Sequence, residues 1–417
     1  MIMEIKTIVS DVLIIGGGPA GSIAAASLAQ KGYSVSIVEK VPFPRFVIGE
    51  SLLPRCNELL QINGMLEAVD AHGFTIKGGA AFEMNGVHEA YNFSENLGQT
   101  FGTSYQVKRE EFDDLLLKQA IGFGATLFEE TEIIGFDVET TTATGRDKEG
   151  NLLTFKARFA LDASGYGRVF PRLLGLDEPS EFKTRSAIFT RITGDIRPLN
   201  ETEGYIYVYV HGNNDAWIWC IPFSDGVTSV GVVCSEEFFN SFGLENEPFW
   251  DEIINSTVGA RERFANAVKT VPVGKIDGYS ANVKSMIGKN YCMAGNATEF
   301  LDPVFSSGVT LALESGHQAA ILIDRELRGE VVDWETDYVA YMMKGINVFR
   351  EFVSAWYDGR LQKIFCVTQK PEKITRSISS ILGGYVWDDR NMFVKNPKIA
   401  ISALISQLPQ ASKESIQ

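Results

Sequence analysis

The chain has 417 residues, 45% hydrophobic and 22% charged, proportions that support a sizeable core and roughly two or three domains. Its 38 Lys and Arg stand against 53 Asp and Glu, a formal charge of -15, which argues against nucleic acid and anionic membrane surfaces as partners, because both need a basic footprint. No run of about 18 apolar residues occurs, so no transmembrane helix is expected; residues 1–10 lack a signal-peptide pattern, and a cytoplasmic location is the default expectation.

In chain order, residues 11–39 predict strand, turn, helix, strand. The apolar run Val12–Ile15 meets Gly16, a helix of small residues follows through Ile23, Ala24, Ala25 and Leu28, and residues 34–38 form the next strand. Uninterrupted apolar strands of this kind are buried on both faces, as in parallel sheets. Gly16, Gly18 and Gly21 make G-x-G-x-x-G between strand and helix. The first glycine permits a tight turn, the second lets backbone approach a pyrophosphate, and the third lets helix pack on strand. The helix start then faces the phosphates. Ala20 lies in the same turn, and Glu39 ends the second strand where it can accept from a ribose hydroxyl.

Further along, Lys77 sits on a predicted strand. A two-residue period places Phe74, Ile76 and Phe82 on one face and Lys77 on the other, with Thr75, Gly79 and Ala81. Such small neighbours suit either a cavity wall or an exposed edge. Residues 109–120 predict an amphipathic helix with Phe112, Leu115, Leu116 and Ala120 on one face. Alternation at 205–210, 217–221 and 227–234 predicts an antiparallel sheet. Trp217 and Trp219 share a face of its middle strand, as an apolar wall or as two core aromatics. Pro303 and Gly308 form a turn before a helical pattern running from Val309 to Ile323. Unpaired N–H groups at that start favour negative charge; an ordinary helix capped by Ser306 or Ser307 is the alternative. Beyond residue 330 the pattern is helical, with Phe349, Phe352, Val353 and Trp356 at helical spacing, and the tail from Ser412 is polar and expected to fray. The five cysteines (Cys56, Cys220, Cys234, Cys292, Cys366) are odd in number and scattered, which points to reduced core thiols. Four scattered histidines offer no ligand spacing, so no metal site is expected.

Several segments carry a family resemblance. Asp162-Ala163-Ser164-Gly165 after an apolar strand resembles the D-x-S-G segment of the FAD-dependent aromatic hydroxylase superfamily. Gln106, Arg109, Phe112 and Asp113 resemble its Q-x-x-R-x-x-F-D helix, and Ala294-Gly295-Asn296-Ala297 its G-D-A segment, with Asn296 in place of the usual Asp. Within that superfamily, Trp217-Ile218-Trp219-Cys220-Ile221-Pro222 is similar to W-x-W-x-I-P of the flavin-dependent halogenases. Arg45 to Pro54, reading R-F-V-I-G-E-S-L-L-P, resembles their R-x-x-x-G-E-S-L-L-P segment, and Lys77 lies in a stretch like the one carrying their catalytic lysine. Asp302-Pro303-Val304-Phe305-Ser306-Ser307-Gly308-Val309 resembles the phenol/pyrrole type rather than the tryptophan type.

The resemblance implies an α/β fold. It comprises an FAD-binding, Rossmann-like domain of the glutathione-reductase type, an inserted and mostly antiparallel substrate sheet, and a C-terminal helical part. The expected boundaries are 1–78, 100–172 and 285–330 for the FAD domain, 79–99 and 173–284 for the inserted sheet, and 331–417 for the helical part. FAD would contact Gly16, Gly18, Ala20, Gly21, Glu39, Arg45, Arg109, Asp162, Asn296 and Asp302; an ion pair between Arg45 and Glu50 is the structural alternative for those two residues. Chloride or bromide would rest on the backbone around Ser307 and Gly308. Reduced flavin from a separate flavin reductase would react with oxygen to a flavin hydroperoxide, and the halide would become hypohalous acid. Trp217 and Trp219 would keep substrate from flavin, and Lys77 would direct the oxidant to a small electron-rich phenolic or pyrrolic substrate, free or on a carrier protein. An aromatic monooxygenase or a flavin reductase/desaturase on the same scaffold is the rival.

Overall fold

The computed structural model describes residues 6–84, 86–99, 101–212, 215–367 and 370–407. The polar tail from Ser412 lies outside them.

Four apolar strands, Tyr291–Met293, Phe159–Asp162, Val12–Ile15 and Val35–Val38, lie side by side and parallel at the centre of a six-stranded sheet. Thr126–Phe128 extends it in parallel at one edge, and Ile287–Gly288 closes the other edge antiparallel. All four central strands are buried along their whole length, as their unbroken apolar sequences require. Helix Pro19–Gln30 covers this sheet and packs on the long helix Ser307–Leu327. The approach is close because the contact is small: a Cβ on Gly316 would stand 2.3 Å from the Ala20 carbonyl oxygen.

The predicted antiparallel strands form at Ile206–His211, Ala216–Pro222 and Thr228–Ser235, and belong to an eight-stranded sheet with Arg185–Thr193, Gly79–Met84 and Val87–Asn92. It contains one parallel pair, Ile206–His211 with Gly79–Met84. Side chains alternate between two cores. Trp217, Trp219, Ile206, Val208 and Phe82 face the main core, whereas Ile218, Cys220, Tyr207 and Tyr209 face a second. Helices Glu236–Phe242, Asn246–Ser256 and Val258–Arg263 cover that second face, with Phe249, Trp250 and Ile253 buried against it. The sequence reading did not anticipate these helices. Nor did it anticipate a four-stranded sheet of Lys6–Val9, Leu152–Lys156, Thr142–Asp147 and Thr131–Asp137. The C-terminal part is helical, and Phe349, Phe352, Val353 and Trp356 are buried on helix Tyr341–Tyr357.

Two expectations are corrected. Cys56, Cys220, Cys234 and Cys292 are buried free thiols, but Cys366 is exposed. The two-residue period does not run through Gly78: Ile76 is 62% exposed while Phe74 and Phe82 are buried. Thr75–Lys77 pairs with Ser104–Gln106 in its own two-stranded sheet, and the chain enters the large sheet after it. A periodicity holds within one strand and not across a change of sheet.

Candidate active site

The central parallel strands end at one edge, and each delivers its next residues to a common cavity of about 430 Å³. Gly16 follows the first strand, Glu39 the second, Ala163 to Gly165 the third, and Ala294 to Asn296 the fourth; all line the cavity. Ligands of open α/β sheets bind at this carboxyl edge. The turn is backbone-built. Gly16 has φ +102°, and a Cβ there would lie 2.5 Å from the Ala163 carbonyl oxygen; a Cβ on Gly21 would lie 2.0 Å from the Gly16 oxygen. At Gly18 the nearest atom is the Arg45 guanidinium at 3.4 Å, so this glycine and Ala20 face the cavity. Glu39 is buried beside the turn. One carboxylate oxygen accepts from the Gly17 N–H at 2.8 Å and the other from Val41 N–H.

Arg45 and Arg109 line the cavity past the glycine turn. Arg109 donates twice to Asp113, at 2.7 and 2.9 Å, and to the carbonyls of Ile48 and Gly49. Arg45 lies 3.9 Å from Asp113 and over the Phe43 ring. The considered Arg45–Glu50 ion pair does not form. Glu50 is buried and accepts from Arg191 at 2.7 Å, and Arg191 also pairs with Glu110. Burial raises the Glu50 carboxyl, while Arg191 opposes that rise. Arg191 came from a strand with no motif, so no local pattern pointed to it.

At the far end, Trp217 and Trp219 line the cavity, with ring centroids 6.2 Å apart. Trp219 lies against Gly231 on the neighbouring strand, where a Cβ would fall 2.2 Å from its ring, and its indole N–H donates to the Ser229 hydroxyl at 3.1 Å. The Trp217 indole donates to the Tyr357 hydroxyl at 3.0 Å. Gly308 and Val309 bring the start of helix Ser307–Leu327 to the cavity wall. Ser306 holds the N-cap position with φ +56°, and its side chain makes no capping hydrogen bond. Neither serine caps the helix, which leaves its first N–H groups without a side-chain acceptor.

Four residues expected at the cofactor or halide do not line the cavity. Gly21 lies behind the turn, where a Cβ would lie 2.0 Å from the Gly16 oxygen. Asp162 accepts from the N–H groups of Ser164 and Phe170 and so braces the turn that does line it. Asp302 accepts from Val304 N–H and from the Tyr357 hydroxyl. The Ser307 side chain is buried behind the wall formed by its neighbours. In the two aspartates the short side chain satisfies backbone N–H groups that a buried turn would otherwise orphan.

Lys77 is 1% exposed. Its ammonium donates to the Leu52 carbonyl at 2.9 Å and stands 5.3 Å from the Phe93 ring centre. Burial pulls its pKa down to about 7, since a charged amine loses solvation there and gains no carboxylate. Lys77 therefore sits outside the cavity that Trp217 and Trp219 line. Gln106, on the strand paired with that of Lys77, and Ser51, bridged to Gln106, each keep a buried oxygen without a partner.

The residues present suit FAD. Glycines stand where a Cβ would collide, guanidinium groups follow them, and a helix start meets the other end. The FAD binding domain family model matches residues 9–341. A flavin-dependent halogenase of Armillaria mellea is 31% identical, over 83% of this chain and 72% of that protein. The chain belongs to the flavin-dependent halogenases. This halogenase-family chain is also 28% identical to a pyrrole-2-carbonyl peptidyl-carrier-protein chlorinase of Pseudomonas fluorescens, over 96% of the chain and 94% of that protein. Among solved structures, a flavoprotein/dehydrogenase from Cytophaga hutchinsonii superposes with a TM-score of 0.92 at 42% identity, covering 96% of this chain and 98% of that one. The protein is thus an FAD-dependent enzyme with a Rossmann-like FAD-binding part, an inserted sheet and a helical C-terminal part. Among the described residues no helix is long and apolar enough to cross a membrane.

Proposed function

We propose that the enzyme halogenates a small electron-rich arene, phenolic or pyrrolic, at the Lys77 end of the site. The observation that carries this reading is the arrangement of two tryptophans and one buried amine. Trp217 and Trp219 wall the cavity, and Lys77 lies outside it with its pKa pulled to about 7. Bound reduced FAD would give two electrons to oxygen, and the peroxide-level oxygen so formed would take two more from a halide, leaving an electrophilic halogen species. The protein's part is placement. Gly16, Gly18, Ala20, Gly21, Glu39, Arg45, Arg109 and Asn296 hold the cofactor, while Asp162 and Asp302 brace the turns around it. The uncapped backbone at Ser307 and Gly308 holds chloride or bromide, since such a helix start favours an anion.

An amine near neutrality can donate a hydrogen bond when protonated and accept a proton when not. Lys77 is therefore the group that positions the oxidant and manages the proton lost from the arene. The tryptophan wall keeps the substrate from the flavin. The chlorinase relative acts on a carrier-bound pyrrole, which supports a carrier-tethered acid as the substrate here. A separate reductase supplies the reduced flavin. The proposed units are 1–78, 100–172 and 285–330 for FAD, 79–99 and 173–284 for the inserted sheet, and 331–417 for the helical part, in a cytoplasmic protein.

The likeness to the Cytophaga flavoprotein/dehydrogenase favours a second reading, a flavin oxidoreductase acting directly on its substrate. One experiment separates them. The holoenzyme is mixed with a generic flavin reductase, NADH, and bromide or chloride, against phenols, free pyrrole-2-carboxylate and its carrier-loaded form. Halide-dependent product that disappears in Lys77→Ala supports the proposal. Substrate oxidation indifferent to halide supports the second reading.

A further inference from the structure

The end of helix Tyr341–Tyr357 reaches between the tryptophan wall and the turn that starts helix Ser307–Leu327. The Tyr357 hydroxyl accepts from the Trp217 indole at 3.0 Å and donates to Asp302 at 2.8 Å. The other Asp302 oxygen accepts from Val304 N–H at 3.0 Å, inside the 303–305 turn. The Arg185 guanidinium covers the Tyr357 ring at 3.4 Å. Three segments distant in sequence thus meet in one chain of hydrogen bonds, and Arg185 from a fourth covers its tyrosine ring. Asp302 is 3% exposed and Trp217 1%. The sequence resemblance ascribes Asp302 to the cofactor, yet its carboxylate is spent on Tyr357 and Val304.

We infer that Tyr357 and Asp302 are positioning residues that lock the Trp217 ring to the turn presenting Ser307 and Gly308, so that the wall and the anion site keep one spacing. The inference rests on the halogenase reading for its catalytic consequence, but not for its geometry. The Trp217 indole has one N–H, and its acceptor is the Tyr357 hydroxyl; a donor on a residue 1% exposed that loses its partner moves or pays a penalty. Tyr357 can hold that acceptor role while it donates to an ionised Asp302. When Asp302 takes a proton, its oxygen competes as a donor for the same hydroxyl and the chain reverses or breaks.

The groups facing Asp302 are the Arg185 guanidinium, the Tyr357 hydroxyl, the Tyr279 phenol and the Val304 N–H. Burial raises the Asp302 pKa to about 6, and Arg185, Val304 and Tyr357 restrain the rise. The lock therefore holds above about pH 6 and loosens as pH falls through that value. Tyr279 lines the cavity and has a buried hydroxyl with no partner, so it is an alternative donor to Asp302 once Tyr357 is altered.

The test uses FAD-loaded protein carrying ¹⁵N-labelled tryptophan, with the Trp217 indole signal assigned by its loss in Trp217→Phe. Tyr357→Phe keeps the ring under Arg185 and removes the hydroxyl. The indole N–H signal should move upfield in this variant, and in native protein it should titrate near pH 6, with that titration absent from Asp302→Asn. With bromide, a flavin reductase and a phenol, the halogenated product formed per reduced flavin consumed should fall about five-fold in Tyr357→Phe, in line with one lost buried hydrogen bond, while FAD affinity stays native. Asp302→Asn, whose single amide oxygen can accept from Tyr357 or from Val304 but not from both, should lose less yield than Tyr357→Phe. An indole signal unmoved by Tyr357→Phe overturns the lock. So does a moved signal with native product yield. If native protein makes no halogenated product at all, the halogenase reading fails and the indole signal alone decides the lock.

Discussion

The glycine turn and the surroundings of Lys77 are built in opposite ways. At the turn, the proposed cofactor cradle comes from the backbone. Gly16 and Gly21 work because no Cβ fits beside the Ala163 and Gly16 carbonyls, and the open cavity begins where their strand ends. At Lys77 everything comes from side chains and carbonyls of distant segments. Leu52 supplies the acceptor, Phe93 the neighbouring ring, and Cys56 a thiol close enough to affect the amine. A backbone site tolerates neighbours and forbids atoms; a side-chain site tolerates backbone and depends on its neighbours.

That contrast can be broken in graded steps. The largest effect is expected for Gly21→Ala, whose Cβ would meet the Gly16 carbonyl oxygen 2.0 Å away. Backbone cannot yield as a side-chain tip does, so FAD affinity should fall by more than about 1000-fold, the equivalent of a few kcal/mol of misfit. Fluorescence titration with FAD measures it, and native-like affinity would show the turn to be adaptable. Next comes Lys77→Met. It should cut halide-dependent turnover at least about 100-fold, the low end for losing a general acid–base group, while leaving FAD affinity unchanged. A variant that loses flavin and turnover together would place Lys77 in the cradle and erase the contrast. Arg45→Gln should weaken FAD about tenfold, as expected for one charge-assisted contact at a half-screened guanidinium.

A smaller effect separates the two regions by pH. The Lys77 pKa falls from 10.5 unfolded to about 7 folded. Between those values the unfolded chain holds the extra proton, so this group's contribution to stability rises with pH from about 7 to 10.5, by at most about 1.4 kcal/mol per unit. Below about pH 7 both states are protonated and the slope vanishes. Urea melts of native protein and Lys77→Met across that window should differ by this slope; parallel curves would mean that the amine is solvated. The smallest effect is expected at Ile76→Ser. The neighbour of Lys77 points into solvent, and surface changes of this kind shift stability by less than about 0.5 kcal/mol. A large loss there would mean that the strand is covered by another surface.

Much of the parallel sheet was legible because each strand announces itself in four residues. Val12–Ile15 is apolar throughout and Phe159–Asp162 is apolar up to its last residue, and the glycine turn after the first and the D-x-S-G segment opening at Asp162 mark the ends. The antiparallel strands at 206–222 were legible by alternation. The helices at 236–263 were not, because their apolar residues are interspersed with Glu and Asn and face a second core that no local pattern reveals. Lys77 shows the same limit at one residue. The motif located it, but the two-residue period put Ile76 on the wrong side, since the chain changes sheets at Gly78.

Asp302, Tyr357, Arg185 and Trp217 make the division plain. Conformations that depend on i to i+4 chemistry, such as the glycine turn, the apolar strands and the Pro303 turn, were written in short stretches of chain. Which acceptor the Trp217 indole would find, which carboxylate Arg191 would neutralise and which carbonyl the Lys77 ammonium would meet depended on groups 25 or more positions away, brought together by packing. Hydrogen bonds and desolvation act over a few ångströms of space, and a linear sequence carries no measure of that distance.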